Sequence, residues 1–207
     1  SREAFPIKLA TNAVVIVNPV EENIISSYEG EKAKKIVSAG RLTDDKNFQM
    51  LINGFEIFAD NHGEYSLIIY GSGELQDILQ EMIESSRHSK RIKLLPFSKN
   101  IHKEIGDAAM YVSTSNSEGI SNSILEALAL GIPVIGTDCP IGGTAMLLKD
   151  GENGYLIGMN DVEMLAERMT RIADNVALAK HLSESAKEVC NIYSVEAIGN
   201  QWIKIMR

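Results

Sequence analysis

Residues 109–135 read AMYVSTSNSEGISNSILEALALGIPVI, and the fold is decided in this stretch. Residues 109–112 are an apolar run of strand length. A polar, glycine-bearing loop follows, and residues 124–130 have the composition of a buried helix. Ile132, Pro133, Val134 and Ile135 then form a second apolar run. Strand, loop, helix and strand in succession make a βαβ unit, whose two strands lie parallel in one sheet. The strands are apolar almost continuously rather than at alternate positions. That is the pattern expected when helices cover both faces of a sheet.

The same alternation extends outward in both directions. Residues 36–39, 66–70, 91–95 and 154–157 read as further strands. Phe48, Leu51, Ile52, Phe55 and Phe58 recur at three- and four-residue spacing, which predicts a helix over 47–61. Leu75, Ile78, Leu79, Met82 and Ile83 predict a second. Shorter helices are expected near 101–105 and 144–148. The prediction is therefore an α/β fold, a Rossmann-like doubly wound parallel sheet of about six strands. In such sheets ligands bind at the carboxyl ends of the strands. The loops to read for chemistry are 40–46, 71–74, 96–98, 113–123 and 137–144.

The ends fit this scheme less well. Residues 13–17, followed by Asn18-Pro19, read as a strand with its exit turn, and 21–35 as a polar linker. Three helices are expected near 161–173, 176–190 and 195–206, the last with the only tryptophan, Trp202. Ile198, Trp202, Ile205 and Met206 would form one apolar stripe on it. The chain opens on Ser1-Arg2 rather than Met and reads as an excised fragment. It shows no signal peptide and no apolar run of membrane-spanning length.

Composition excludes several classes. There are 20 Lys and Arg against 28 Asp and Glu, a net charge of −8, the wrong balance for a nucleic-acid phosphate backbone. Aromatic residues are too sparse, at 6%, to predict stacking platforms for single strands. Cys139 and Cys190 have no metal-type spacing and the four histidines are scattered, so neither a disulfide framework nor a bound metal is expected.

Within the loop 113–123, Glu118 stands on the loop and Glu126 about one turn into the helix, eight positions on. The first helical turn offers unpaired amides at a positive dipole end, which suits a diphosphate. Ser123-x-x-Glu126 equally fits a capping box, in which Glu126 only satisfies a backbone amide. In the loop after residues 36–39, Arg41 and Lys46 flank a turn. They could hold two phosphates, Arg41 by its planar fork and Lys46 as a point charge, or simply be solvated. Gly71-Ser72-Gly73 follows the second strand as a tight turn that would also let a ligand approach the backbone.

Taken in order, Gly40-Arg41-Leu42 with Lys46-Asn47, Gly71-Ser72-Gly73, the segment 118–134 and the segment 150–157 resemble one known pattern. It is the C-terminal domain of the family-4 retaining glycosyltransferases of GT-B fold. Segments 121–126 and 137–143 resemble bacterial capsular and lipopolysaccharide sugar transferases in particular. The resemblance covers roughly residues 36–189. It implies that Arg41 and Lys46 bind a nucleotide diphosphate, that Glu118 contacts the donor sugar, and that Glu126 accepts hydrogen bonds from the ribose. Amides of Gly119, Ile120, Ser121, Asn122 and Ser123 would face sugar and phosphate, backbone at Pro96 and Phe97 would frame the base, and Gly71 would be a further nucleotide-binding position. No metal and no further cofactor is implied.

The resemblance also implies an organisation. Residues 1–33 would be the remnant of an N-terminal domain and its linker, 34–190 the nucleotide-sugar domain, and 191–207 a helix crossing back to the missing domain. The donor would be a nucleoside-diphosphate sugar, most simply a UDP-sugar. The acceptor, a glycan or lipid-linked glycan, would sit on the missing domain. The setting would be cytoplasmic, with peripheral association of the full enzyme at the inner face of the membrane. Two other readings stay open: a GT-B-type UDP-sugar 2-epimerase, and a flavodoxin-like regulatory module. The latter needs an acidic cluster after its first strand, where this chain has Gly40-Arg41.

Overall fold

The computed structural model describes residues 14–20, 24 and 32–206. Six strands form one sheet: β1 (Ala33–Ala39), β2 (Ser66–Tyr70), β3 (Ile92–Leu95), β4 (Ala108–Ser113), β5 (Val134–Thr137) and β6 (Gly154–Ile157). Their order is β3-β2-β1-β4-β5-β6, and every pair is parallel. Helices α1 (Phe48–Ala59), α2 (Gln76–Ser85), α3 (Ile101–Ile105), α4 (Asn122–Ala129) and α5 (Gly143–Leu147) make the crossovers. Four more, α6 (Val162–Asp174), α7 (Val176–Ala186), α8 (Val189–Ile192) and α9 (Val195–Ile205), follow the sheet.

The apolar strands are explained by a two-sided core. Because successive strand residues point to opposite faces, Ile36, Met110, Val112 and Ile135 pack on one side with Phe55 of α1 and Leu165 of α6. Val37, Tyr111 and Val134 pack on the other with Ile105 of α3 and Leu128 of α4. The chain's winding changes direction between β1 and β4. Their ladder runs only as far as Val37 opposite Tyr111. Beyond that the strands diverge, and the crevice at their carboxyl ends is where this topology seats a ligand.

Several boundaries differ from the sequence reading. β1 begins at Ala33, inside the stretch expected to be linker. Its lysines look like solvated residues, yet they belong to an interior strand paired with β2 and β4, and Lys35 Nζ reaches Asp107 at 2.5 Å. β5 starts two residues later than the apolar run, because Pro133 has no amide to give and serves only as acceptor, from Tyr111 N at 2.9 Å. Residues 14–17 form no strand: Val17 and Val20 are buried in the second core, and Val20 N donates to Tyr193 O at 2.8 Å. Ala13 lies outside the described residues. The helix expected over 176–190 is broken into α7 and α8. On α9, Ile198 is buried in the domain's own core, while Trp202, Ile205 and, just past the helix, Met206 are exposed.

Candidate functional site

Where β1 and β4 part, two side chains replace the missing ladder. Ser38 Oγ donates to Val112 O at 2.6 Å. On the opposite face, Tyr111 Oη donates to Ala39 O at 3.1 Å and accepts from Ala39 N at 3.2 Å. Above this floor opens a cleft of about 390 Å³. It is walled by Gly40 and Arg41 after β1, Ser72 after β2, Phe97 and Lys99 after β3, and Asn122, Ser123 and Glu126 of α4.

Five of the residues singled out in the sequence meet here: Arg41, Phe97, Asn122, Ser123 and Glu126. Arg41 is exposed and its guanidinium holds no ion pair among the described residues. Phe97 is 68% exposed over the opening. The first intrahelical hydrogen bond of α4 runs from Leu125 N to Ser121 O at 3.1 Å, so the amides of Asn122, Ser123 and Ile124 precede it. The capping-box reading does not survive the geometry. Ser121, not Ser123, is the N-cap residue, its side chain makes no cap hydrogen bond, and Glu126 lies beyond the third helical position that such a box uses.

The other expected residues lie behind or beside the cleft. Lys46 and Glu118 form an ion pair at 2.5 Å, with side chains only 18% and 13% exposed. Ser115 Oγ also donates to Glu118, at 3.0 Å. Lys46 is held from the backbone: Thr114 Oγ1 lies 3.0 Å from Lys46 O and 2.9 Å from Asn47 O. Asn47, at φ 46°, donates through Nδ2 to Asn116 and Asn160, tying together the loops after β1, β4 and β6. Asparagine is among the few residues that take this left-handed conformation readily.

Gly71 is pressed against the neighbouring turn, where a Cβ would stand 2.1 Å from Gly40 O. Pro96 is exposed, outside the lining residues. Gly119, Ile120 and Ser121 form the loop into α4, and Gly143 N donates to Glu118 O at 3.3 Å. A Cβ on Gly143 would stand 1.7 Å from Gly119 O. The sequence reading named Ser72 only as part of the turn after β2, and it missed Lys99. A cation in a β3–α3 loop was the available signal for Lys99.

The tyrosine floor carries a pH signature. Burial raises the Tyr111 hydroxyl to about 12, against the pull of its hydrogen bonds. The folded state therefore keeps this proton over a range in which the unfolded chain, with a pKa of about 10, has lost it. The contribution is fully present below about pH 10 and drains away as pH rises toward about 12, on the order of 3 kcal/mol in total. Urea unfolding of Tyr111→Phe from neutral pH to about pH 11 is expected to show a shallower alkaline loss than the parent. An unchanged slope would dissociate Tyr111 from it.

With this geometry in view, the chain belongs to the glycosyl transferases group 1 family, which it matches over residues 20–189. Among curated relatives it is 25% identical over 203 residues to an uncharacterized glycosyltransferase of Haemophilus influenzae, covering 96% of this chain and 56% of that protein. It is 28% identical over 196 residues to the poly(ribitol-phosphate) alpha-N-acetylglucosaminyltransferase of Staphylococcus aureus, covering 94% of this chain and 39% of that one. The chain thus spans about half or less of the length of these relatives. A TarM variant from S. aureus, crystallised with fondaparinux, alpha-GlcNAc-glycerol and UDP, superposes with a TM-score of 0.88 at 26% identity, over 99% of this chain and 41% of that one. Among the described residues no helix is long and apolar enough to cross a membrane.

Proposed function

We propose that this chain is the donor-binding domain of a family-4 retaining glycosyltransferase of GT-B fold. The whole enzyme would move a hexosyl unit from a UDP-sugar to a glycan or lipid-linked glycan, in the manner of bacterial capsular and lipopolysaccharide sugar transferases. The observation that carries this reading is the convergence of Arg41, the first turn of α4 and Glu126 on one cleft at the β1–β4 divergence. The UDP in the TarM complex supports the choice of base.

Each group then has a task. The Arg41 fork takes the diphosphate together with the unpaired amides of α4, which stabilise charge developing on the leaving group. Glu126 accepts the ribose hydroxyls. Glu118, steadied by Lys46 and Ser115, receives hydroxyls of the donor sugar. The acceptor lies on a second domain, to which residues 1–33 lead and the helix within 191–207 returns. Work at the cytoplasmic face of the membrane fits a lipid-linked acceptor. Calorimetric titration of the chain with UDP, GDP and ADP tests the reading. UDP is expected to bind most tightly, and no heat with any of the three would overturn it.

Two variants sharpen the assignment. Arg41→Ala is expected to weaken UDP by about tenfold or more while leaving uridine nearly unchanged, since a charged hydrogen bond contributes roughly 1.5–3 kcal/mol and its partner here is phosphate. Equal losses for both ligands would mean that Arg41 acts on the fold. Glu126→Ala is expected to weaken bare UDP about tenfold, and more than Glu118→Ala does, because ribose is present in UDP and the sugar is not. The opposite ranking would exchange the two roles.

A further inference from the structure

The amino ends of the strands, opposite the nucleotide cleft, carry a second cavity of about 360 Å³. An apolar cavity of about 150 Å³ already accommodates benzene, so this one has room for a longer chain. Lys32 and Lys34 enter it from the start of β1, Tyr65 from just before β2, and Lys180 from α7. Pro133, Ile172, Val176 and Ala179 supply apolar wall.

Its charge stands against that of the molecule. The chain as a whole carries 28 acidic and 20 basic side chains. Yet among the described residues that line this cavity three are lysines and none is a carboxylate. Lys34 Nζ lies 5.0 Å from the Tyr65 ring centroid and 3.4 Å from its hydroxyl. Lys32 Nζ donates to Gly106 O at 2.7 Å, and burial, with Lys187 alongside and against the pull of Asp107, pushes its ammonium below the ordinary range. Lys180 meets Glu184 at 3.8 Å on the open surface, a contact that contributes little. At the rim Val176 is 81% exposed, the most exposed of the large apolar side chains among the described residues.

A bare anion would use the lysines and leave the apolar wall idle. A neutral apolar molecule would do the reverse. We propose that this cavity binds an anionic amphiphile, its phosphate or carboxylate head among Lys32, Lys34 and Lys180 and its chain along Pro133, Ile172 and Val176. Lysine stems beside an exposed apolar tip are also the combination that engages an anionic bilayer surface. The site is separate from the nucleotide cleft and does not depend on the function proposed for it.

Decyl phosphate below its micellar concentration is the probe, titrated into the intact chain with and without saturating UDP. Saturable binding that UDP does not displace is expected. Inorganic phosphate and the neutral detergent octyl glucoside are expected to bind at least tenfold more weakly. Lys34→Gln combined with Lys180→Gln should weaken decyl phosphate at least tenfold, and Val176→Asp should weaken it independently. All three positions are exposed, so a melting temperature equal to the parent's confirms the fold. Displacement by UDP, indifference to these substitutions, or equal binding of inorganic phosphate would each overturn the proposal. Sedimentation with phosphatidylglycerol and phosphatidylcholine vesicles identifies the source. Recruitment to the former alone makes the ligand a membrane lipid, and decyl phosphate binding without recruitment makes it a free amphiphile.

Discussion

Gly143→Ala is expected to weaken nucleotide binding at least tenfold and to destabilise the domain. The added methyl would fall 1.7 Å from Gly119 O, 2.1 Å from Gly119 C and 2.7 Å from Ile120 N. All three are backbone atoms and cannot rotate away as a side-chain end could. Overpacking of this kind costs about 1–3 kcal/mol, and the strain here falls on the loop that leads into α4. That loop also carries Glu118, whose carbonyl accepts from Gly143 N. Gly119→Ala is the matched control, since a Cβ there meets nothing within 4 Å. Thermal unfolding should leave Gly119→Ala at the parent's midpoint and lower that of Gly143→Ala. Equal behaviour of the two would show that the loops are not pressed together as described.

Lys46→Met is expected to cost about 3 kcal/mol, which for a chain of this size lowers the melting temperature by roughly 6–12 °C. The substitution strands Glu118 in a site where its side chain is 13% exposed and, among the described residues, only Ser115 remains as a side-chain donor. The loss comes from the uncompensated carboxylate more than from the missing attraction. The double variant Lys46→Met/Glu118→Gln should therefore regain most of the stability. If single and double variants melt together, the pair contributes nothing and Lys46 acts through its stem alone.

Much of the architecture is legible in the chain because a parallel sheet covered on both faces leaves uninterrupted apolar runs such as residues 66–70 and 109–112. The strand order is not written in any run. It follows from βαβ handedness and from the change of winding between β1 and β4. Two kinds of residue defeat the reading. Lys34 and Lys35 are strand residues whose charges leave the sheet by their own length, so polarity disguises them. Pro133 is apolar enough to be taken as strand and lacks the hydrogen that would make it one.

The candidate site divides in the same way. Arg41, Asn122, Ser123 and Glu126 can be found because loops after strands are where this fold binds. That Lys46 and Glu118 spend their charges on each other is a matter of three-dimensional distance between residues 72 positions apart. Nor does spacing reveal that Asn47, Asn116 and Asn160 lace three loops into one rim.

The exchange between Tyr111 and Ala39, with Ser38 and Val112 on the other face, has a consequence for how a ligand is met. A sheet that parts at its middle would ordinarily have a soft seam there, with backbone groups waiting for water or for a guest. Here the seam is sewn from both sides before anything arrives. The entropy of ordering that floor is spent during folding, so a nucleotide need not supply it on arrival. Association should then be governed by encounter and by the exposed rim of Arg41, Phe97 and Lys99, rather than by a slow rearrangement underneath.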